Sequence, residues 1–160
     1  MSNLAITPDL ARMSVKGDAT VELLVFAIGK LTLALPILQV QKVVRQSEVH
    51  GSGLSHINLT HLPEGEIAVV DLQQKLFGTS LTQSTATGYF IITQPVNAEP
   101  LGIVVSKPPS LIDVPLKQIR QLPDTYRRAD TLAIASHVTV VADKEKSTTL
   151  FILDLARLTE

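Results

Sequence analysis

The sequence predicts an all-β protein, mostly strand with short helices, built from two similar barrel-like halves. Short runs of β-branched and aliphatic residues alternate with turns rich in Gly, Pro, Asn and Ser along the 160 residues, which is typical of small β-barrels. A strand that ends in Asp-Leu and then turns helical occurs at residues 68–78 and again at residues 151–160. The polar tract at residues 79–88 has the composition of a linker, so a boundary is expected near residue 80.

The first half is expected to begin with a β-hairpin. Residues 1–20 are weakly patterned and predict a mobile N-terminal arm, followed by one domain over residues 21–160. The run VELLVFAI at residues 21–28 predicts a strand, and LTLAL at residues 31–35 predicts its partner across a Gly-Lys turn. Pro36 cannot donate to a ladder and should end the second strand.

Two further strands are expected before the predicted boundary. In the segment ILQVQKVV, an extended backbone would place Val40 and Lys42 on the same face. The segment GSGLS at residues 51–55 has the composition of a flexible loop. A turn at residues 63–65 then precedes the strand EIAVVD at residues 66–71.

The second half shows a similar succession of strands and breaks. YFIIT at residues 89–93 and LGIVVS at residues 101–106 predict strands, and the segment SKPPS interrupts the ladder. LKQIRQL at residues 116–122 predicts one or two helical turns. The runs at residues 131–143 and 148–154 predict the last two strands. The similarity of the halves indicates a structural quasi-repeat.

The composition excludes several classes of protein. With 45% hydrophobic and 18% charged residues, the chain is typical of a globular domain. A net charge of −1 and only 4% aromatic residues argue against binding to nucleic acid or to an anionic membrane surface. The absence of cysteine excludes thiolate catalysis and Cys-based zinc sites. Without a secretory signal or an apolar run near the ~20 residues of a membrane span, a cytoplasmic protein with no membrane insertion is expected.

Asp71 and Asp154 stand at the two strand-to-helix junctions. An Asp at a helix N-cap accepts a hydrogen bond from an otherwise unpaired backbone N–H, which is worth about 1 kcal/mol. A catalytic carboxylate pair would instead need the two side chains close together and at least one shifted pKa. Because a cap recurs with a repeated fold and a catalytic pair need not, the pattern predicts two structural N-caps.

The histidines are candidates for a metal site that their spacing does not favour. His50, His56 and His61 lie near Glu64 and Glu66, but separations of six and five residues match none of the usual ligand pairs. We therefore expect the region from His50 to Glu66 to be an exposed connection without a metal, and no cofactor is predicted. A small metal-dependent hydrolase using His56, His61 and Glu64 is the remote alternative.

The order of the motifs resembles that of the CheW family of chemotaxis coupling proteins. The segments that carry the resemblance are ELLVFAIG, LALPILQVQKVV, IAVVDLQQKLFG, LGIVVSKPPSLIDVPLKQIRQLP and LFILDLARL, in that order from about Glu22 to Leu158. The most specific of them combines GIVV at residues 102–105 with Ile112–Asp113 and with QIR at residues 118–120.

This resemblance implies a fold of two five-stranded, SH3-like β-barrels and a non-enzymatic adaptor. Such an adaptor joins the cytoplasmic tips of chemoreceptors to a CheA-type histidine kinase in chemotaxis, phototaxis or surface motility. One barrel would dock the regulatory domain of the kinase, and a groove between the barrels would meet the helical hairpin of the receptor. The alternative is a divergent kinase-binding regulator that has lost receptor coupling.

The resemblance also implies two sets of partner-binding residues. The receptor-facing set is Val40, Lys42, Leu62 and Glu64. The kinase-facing set is Ile103, Val105, Lys107 and Pro108. Two charges depart from the family pattern, which usually has an acid where Lys42 stands and Asn-Leu-Arg-Gly where this chain has residues 61–65. We expect the charge of Lys42 to influence the choice of partner.

Overall fold

The computed structural model describes residues 19–47, 49–50, 56–79, 88–95, 99–127, 133–142 and 145–158. Its strands are β1 (Thr20–Ile28), β2 (Leu31–Pro36), β3 (Val40–Arg45), β4 (Val49–His50), β5 (Ile57–Leu62), β6 (Gly65–Val70), β7 (Tyr89–Thr93), β8 (Leu101–Val105), β9 (Ser110–Pro115), β10 (Arg120–Gln121), β11 (Ala135–Ala142) and β12 (Ser147–Leu153). Its helices are α1 (Leu72–Phe77), α2 (Asp124–Arg127) and 3₁₀ turns at Ile37–Gln39, Leu116–Gln118 and Leu155–Arg157. The predicted mostly-β fold is confirmed. Residues 1–18 of the predicted arm and residues 80–87 of the predicted linker lie outside the described residues.

The strands form two six-stranded sheets with the same pattern of pairing. The first sheet has the order β10-β11-β12-β2-β1-β9, and the second has the order β3-β7-β8-β6-β5-β4. Each sheet is antiparallel except for one parallel pair, which joins β12 to β2 in the first and β6 to β8 in the second. If the second order is read backwards, β7–β8 correspond to β1–β2, and β3–β6 correspond to β9–β12. The predicted quasi-repeat thus has a counterpart in the sheet topology.

The sheets interleave along the chain. Strands β1–β6 and strands β7–β12 form two equivalent series, and the predicted boundary near residue 80 falls between them in the sequence. The first sheet contains β1 and β2 of the first series with β9–β12 of the second. The second sheet contains β7 and β8 of the second series with β3–β6 of the first. The strands of each sheet therefore do not form one continuous stretch of the sequence. A parallel pair requires a long crossover connection. In the second sheet the connection from β6 to β8 contains α1 and β7, and in the first sheet the connection from β2 to β12 contains all six strands of the second sheet.

Three clusters of buried apolar side chains hold the sheets together. One lies inside the first sheet (Val21, Leu23, Ala34, Val114, Ile119, Leu150 and Ile152), and one lies inside the second (Val69, Phe90, Ile92 and Val104). The third, called here the shared cluster, joins the sheets through residues of both, among them Phe26, Leu35, Val70, Ile103 and Leu153. Strand β1 contributes alternately to the first cluster and to the shared cluster. This burial of both faces explains its nearly continuous apolar sequence.

The two junction aspartates cap the elements that follow them. Asp71, which is fully buried, accepts a hydrogen bond through Oδ1 from the backbone N–H of Gln74 at 3.1 Å, at the start of α1. Asp154 accepts one from the N–H of Ala156 at 3.2 Å, at the start of a 3₁₀ turn. Because β6 and β12 occupy equivalent places in their sheets, the caps are one structural device used twice.

The expected exposed connection from His50 to Glu66 is wrong. This region contains strand β5, which belongs to the second sheet. Its polar residues Asn58 and Thr60 lie on the buried face of the strand and are only 5% and 0% exposed. The hydroxyl groups of Thr60 and Ser47 lie 2.9 Å apart and share a hydrogen bond, which lowers the cost of burying them. In β5 the polar side chains are buried and Leu59 is exposed, which is the reverse of the usual alternation of buried apolar and exposed polar residues. The sequence pattern therefore does not indicate a strand.

The helical turns predicted at residues 116–122 are shorter than expected. Only Leu116–Gln118 forms a 3₁₀ turn, and the chain then enters strand β10 at Arg120. Ile119 is buried in the cluster of the first sheet, and its N–H closes the turn by donating to the carbonyl of Leu116. Because Ile119 is buried at this point, the backbone returns to an extended conformation after a single turn.

Gly88 provides a test of the packing between β7 and β8. A Cβ at this position would overlap the carbonyl oxygen of Val105, a backbone atom that cannot rotate away. We expect Gly88→Ala to lower the free energy of unfolding by about 2 kcal/mol or more. At Gly102 the nearest atoms to a new Cβ lie at 3.4 and 3.5 Å, so the control Gly102→Ala should cost clearly less. Urea unfolding would measure both, and equal losses would contradict the packing described.

Candidate partner-binding site

Two of the predicted receptor-facing residues lie on β3, at one edge of the second sheet. Val40 is half-buried against the shared cluster. Lys42 stands opposite Ile92 of β7, with an irregularity in the pairing between Val40 and Lys42. Its side chain is 36% exposed. Strand β3 therefore carries one apolar residue at the junction of the sheets and one cation beside it.

The other two residues belong to the β5–β6 hairpin, which brings Glu64 to Lys42. Glu64 lies in the turn between the strands, and its carboxylate accepts a hydrogen bond from the Nζ of Lys42. This bond is the main reason why the pKa of Glu64 is below its ordinary value. Two residues separated by 22 positions in the sequence thus form one ion pair at the surface.

A cleft of about 470 Å³ opens beside this ion pair, between the β5–β6 hairpin and the beginning of β8. We call it the rim cleft. Its apolar lining includes Leu62, Ile67, Ile92, Pro100 and Leu101, and its acidic residues are Glu64, Glu66 and Glu99. The sequence analysis missed Glu66 and Glu99 as members of a binding site. Only the parallel pairing of β6 with β8 brings Glu99 to the hairpin, and no local pattern indicates that pairing.

The predicted kinase-facing residues divide into a buried pair and an exposed pair. Ile103 and Val105 are 0% and 1% exposed and belong to the shared cluster, so their side chains are not available to a partner. Lys107 and Pro108 are exposed in the connection to β9. Leu111, which no pattern considered above singles out, is 53% exposed on β9, an edge strand of the first sheet. In an extended LIDV segment Leu111 shares a face with Asp113, and Ile112 shares the other with Val114, which is the sequence signal that indicates exposure of Leu111.

The three residues of the hydrolase alternative have different partners. His56 lies beside Asp71, and the backbone N–H of Asp71 donates to the carbonyl of His56 at 2.7 Å. Burial is the main cause that lowers the pKa of His56, followed by repulsion from Lys75. The Nε2 of His61 lies 3.5 Å from a carboxylate oxygen of Glu66. In the described ranges no three His, Asp or Glu side chains are grouped to hold a metal ion.

Comparison with known proteins identifies the family. The model of the CheW-like domain matches residues 22–160. The chain belongs to the CheW-like domain family. The scaffolding protein TtCheW from Thermoanaerobacter tengcongensis has a similar structure, with a TM-score of 0.71, 18% sequence identity and 92% coverage of each chain. At this identity the likeness concerns the fold. No curated protein matches the sequence.

Family and fold together support a role as a chemotaxis adaptor or scaffold. No helix in the described part of the chain is long and apolar enough to cross a membrane.

The two charges that depart from the pattern implied by the resemblance lie together in the structure. The Nζ of Lys42 donates to the carboxylate of Glu64, so the two positions form one ion pair. The pair is largely exposed, with 36% and 56% of the two side chains accessible, and exposed pairs contribute little to stability. The pair therefore affects the distribution of charge at the surface more than it affects the free energy of unfolding.

The ion pair can be tested through the titration of Glu64. We expect its carboxyl to titrate below the ordinary value of 4.5, and Lys42→Met to raise the pKa back toward that value. Because the folded pKa is depressed, the contribution of the pair to stability is present above pH 4.5 and is lost as the pH falls through the folded pKa. Carboxyl carbon NMR would follow the titration. Lys146→Met is the control and should leave it unchanged, and an identical pKa in wild type and Lys42→Met would show that the pair does not form in solution.

Proposed function

We propose that this protein is a cytoplasmic, non-enzymatic adaptor that couples chemoreceptors to a CheA-type histidine kinase in chemotaxis, phototaxis or surface motility. The observation that carries the proposal is the family match over residues 22–160, on a fold similar to that of a scaffolding protein. Proteins of the CheW-like family are non-catalytic scaffolds. An adaptor needs two separate surfaces for two partners, and the two sheets provide them.

The kinase-binding surface proposed here is centred on β9. Leu111 is a large apolar side chain exposed on an edge strand, and Lys107 and Pro108 precede it. Consecutive prolines at 108 and 109 restrict the backbone of this connection, which reduces the entropy lost on binding. An edge strand with an exposed apolar side chain is a common means of binding another protein. Ile103 and Val105 are buried in the shared cluster and contribute no side chain to this surface.

The receptor-binding surface proposed here is the end of the second sheet that carries Val40, Leu62 and the Lys42–Glu64 pair. Val40 and Leu62 are half-buried, so each presents part of an apolar side chain beside polar neighbours. A helix that lies on such a surface is held by a few apolar anchors, and the charges around them select the partner.

The second candidate function is a kinase-binding regulator without receptor coupling. The observation that favours it is that the proposed receptor surface carries the Lys42–Glu64 pair, whose charges depart from the pattern that the resemblance implies. The two functions share the kinase contact and differ in receptor binding, so separate titrations distinguish them.

The kinase contact is tested by calorimetric titration with the regulatory domain of a CheA-type kinase from the same cell. We expect binding at micromolar strength or better, and we expect Leu111→Asp to weaken it about tenfold or more, because a charge would enter an apolar contact. Val140→Asp is the matched control, since Val140 is 52% exposed on β11 and Leu111 is 53% exposed. Absence of binding by the folded wild type, or equal losses in both variants, would contradict the proposed surface.

The receptor contact is tested by exchanging the charges of the ion pair. We expect Lys42→Glu and Glu64→Lys to change the affinity for a receptor-tip hairpin in opposite directions, each about tenfold, because one leaves two negative charges and the other two positive charges at this surface. The double variant Lys42→Glu/Glu64→Lys should return most of the way to the wild-type affinity. If the double variant instead keeps the change caused by Lys42→Glu, Lys42 acts through its own charge and not through the pair.

A further inference from the structure

We propose that the rim cleft is a specificity pocket for one basic side chain, best an arginine, carried by the helical tip of the receptor. The inference rests on the proposed adaptor function and adds the chemistry of the segment that is bound. It depends on the lining of the cleft, on the balance of charge around it and on its position beside the proposed receptor-facing residues.

The wall of the cleft is mostly apolar. Ile67 comes from β6 and Ile92 from β7, the two strands on either side of β8, while Leu101 begins β8 and Pro100 precedes it. A volume of about 470 Å³ is within the usual range for sites that bind a small ligand or a few side chains. An apolar pocket of this size can hold one long side chain together with part of the segment that carries it.

The charge at the mouth of the cleft is negative. Three carboxylates, those of Glu64, Glu66 and Glu99, line it, and no Lys or Arg is among the described residues that do so. Lys42 pairs with Glu64 from outside the lining, and the imidazole of His61 lies 3.5 Å from Glu66. With His61 neutral, the three carboxylates and Lys42 leave a local charge of −2. An acidic segment would be repelled here, whereas a basic segment would be attracted.

A long basic side chain fits both properties at once. Its methylene stem can pack on Ile67 and Leu101 while its charged head remains near the carboxylates at the mouth. Arginine is favoured over lysine, because its planar guanidinium binds carboxylates through two parallel hydrogen bonds. The cleft thus complements an amphipathic helix that presents arginine next to apolar residues.

The position of the cleft connects it with the receptor surface. Leu62 and Glu64, two of the four residues assigned to that surface, also line the cleft. A helix on Val40 and Leu62 would therefore pass the mouth of the cleft, and one of its side chains could enter it. The receptor tip is for this reason the occupant that we propose.

The test uses three synthetic amphipathic peptides of about 20 residues, long enough to form a helix, that differ only in one central residue. This residue is arginine, norleucine or glutamate. The full-length protein labelled with ¹⁵N is titrated with each peptide. We expect the arginine peptide to shift the amide signals of Gly65, Ala68 and Leu101 and to bind at least about fivefold more tightly than the other two.

Variants then identify the carboxylates. We expect Glu66→Gln and Glu99→Gln each to weaken binding of the arginine peptide about two- to fivefold, which is the range for exposed charge pairs. Glu145→Gln, an exposed carboxylate in the connection between β11 and β12, is the control and should have no effect. Dispersed amide spectra of the variants would establish that they are folded. Equal affinity for all three peptides, or unchanged affinity in both Gln variants, overturns the inference.

The result is separable from that of the proposed function. Kinase binding through Leu111 without any preference for the arginine peptide would leave the adaptor proposal intact and reject the pocket. Binding of the arginine peptide in the cleft without kinase binding would reject the adaptor proposal and leave a pocket for basic segments.

Discussion

Contact between the two sheets through the shared cluster is the interaction on which the rest of the structure depends. Neither sheet can bury both faces alone, because strands β1 and β2 of one sheet and β7 and β8 of the other are apolar on both sides. Complete burial of one Leu, Ile or Phe side chain contributes about 1.5–3 kcal/mol. Among the described residues the shared cluster contains fifteen buried side chains, so its contribution is large compared with that of any single contact between the sheets.

The shared cluster also determines where partners can bind. Ile103 and Val105, which are apolar enough to be candidates for a protein interface, are buried in this cluster and cannot contact a partner. What remains at the surface is a set of isolated features at the sheet edges. Leu111 lies on β9 of the first sheet, and the Lys42–Glu64 pair with its cleft lies at the end of the second. Each sheet thus carries one of these features, and the proposed adaptor function assigns one partner to each.

The acidic residues of the rim cleft illustrate how surface charge is assembled from distant segments. Glu64 and Glu66 come from the β5–β6 hairpin, and Glu99 comes from the segment before β8. The parallel pairing of β6 with β8 joins these segments, and the same pairing recurs between β12 and β2 in the first sheet. A repeated topology therefore brings the segments together, while side chains that are not repeated give the cleft its acidic character.

The sequence by itself determined the mostly-β fold, most of the strands, the quasi-repeat and the caps at Asp71 and Asp154, because these depend on local patterns of polarity and on hydrogen bonds between near neighbours. It did not reveal strand β5, because Asn58 and Thr60 occupy the inward positions that a local pattern would assign to apolar residues. Only the tertiary structure decided how the strands divide between the sheets and that Lys42 meets Glu64. These results depend on pairing between segments far apart in the chain, which no local pattern encodes.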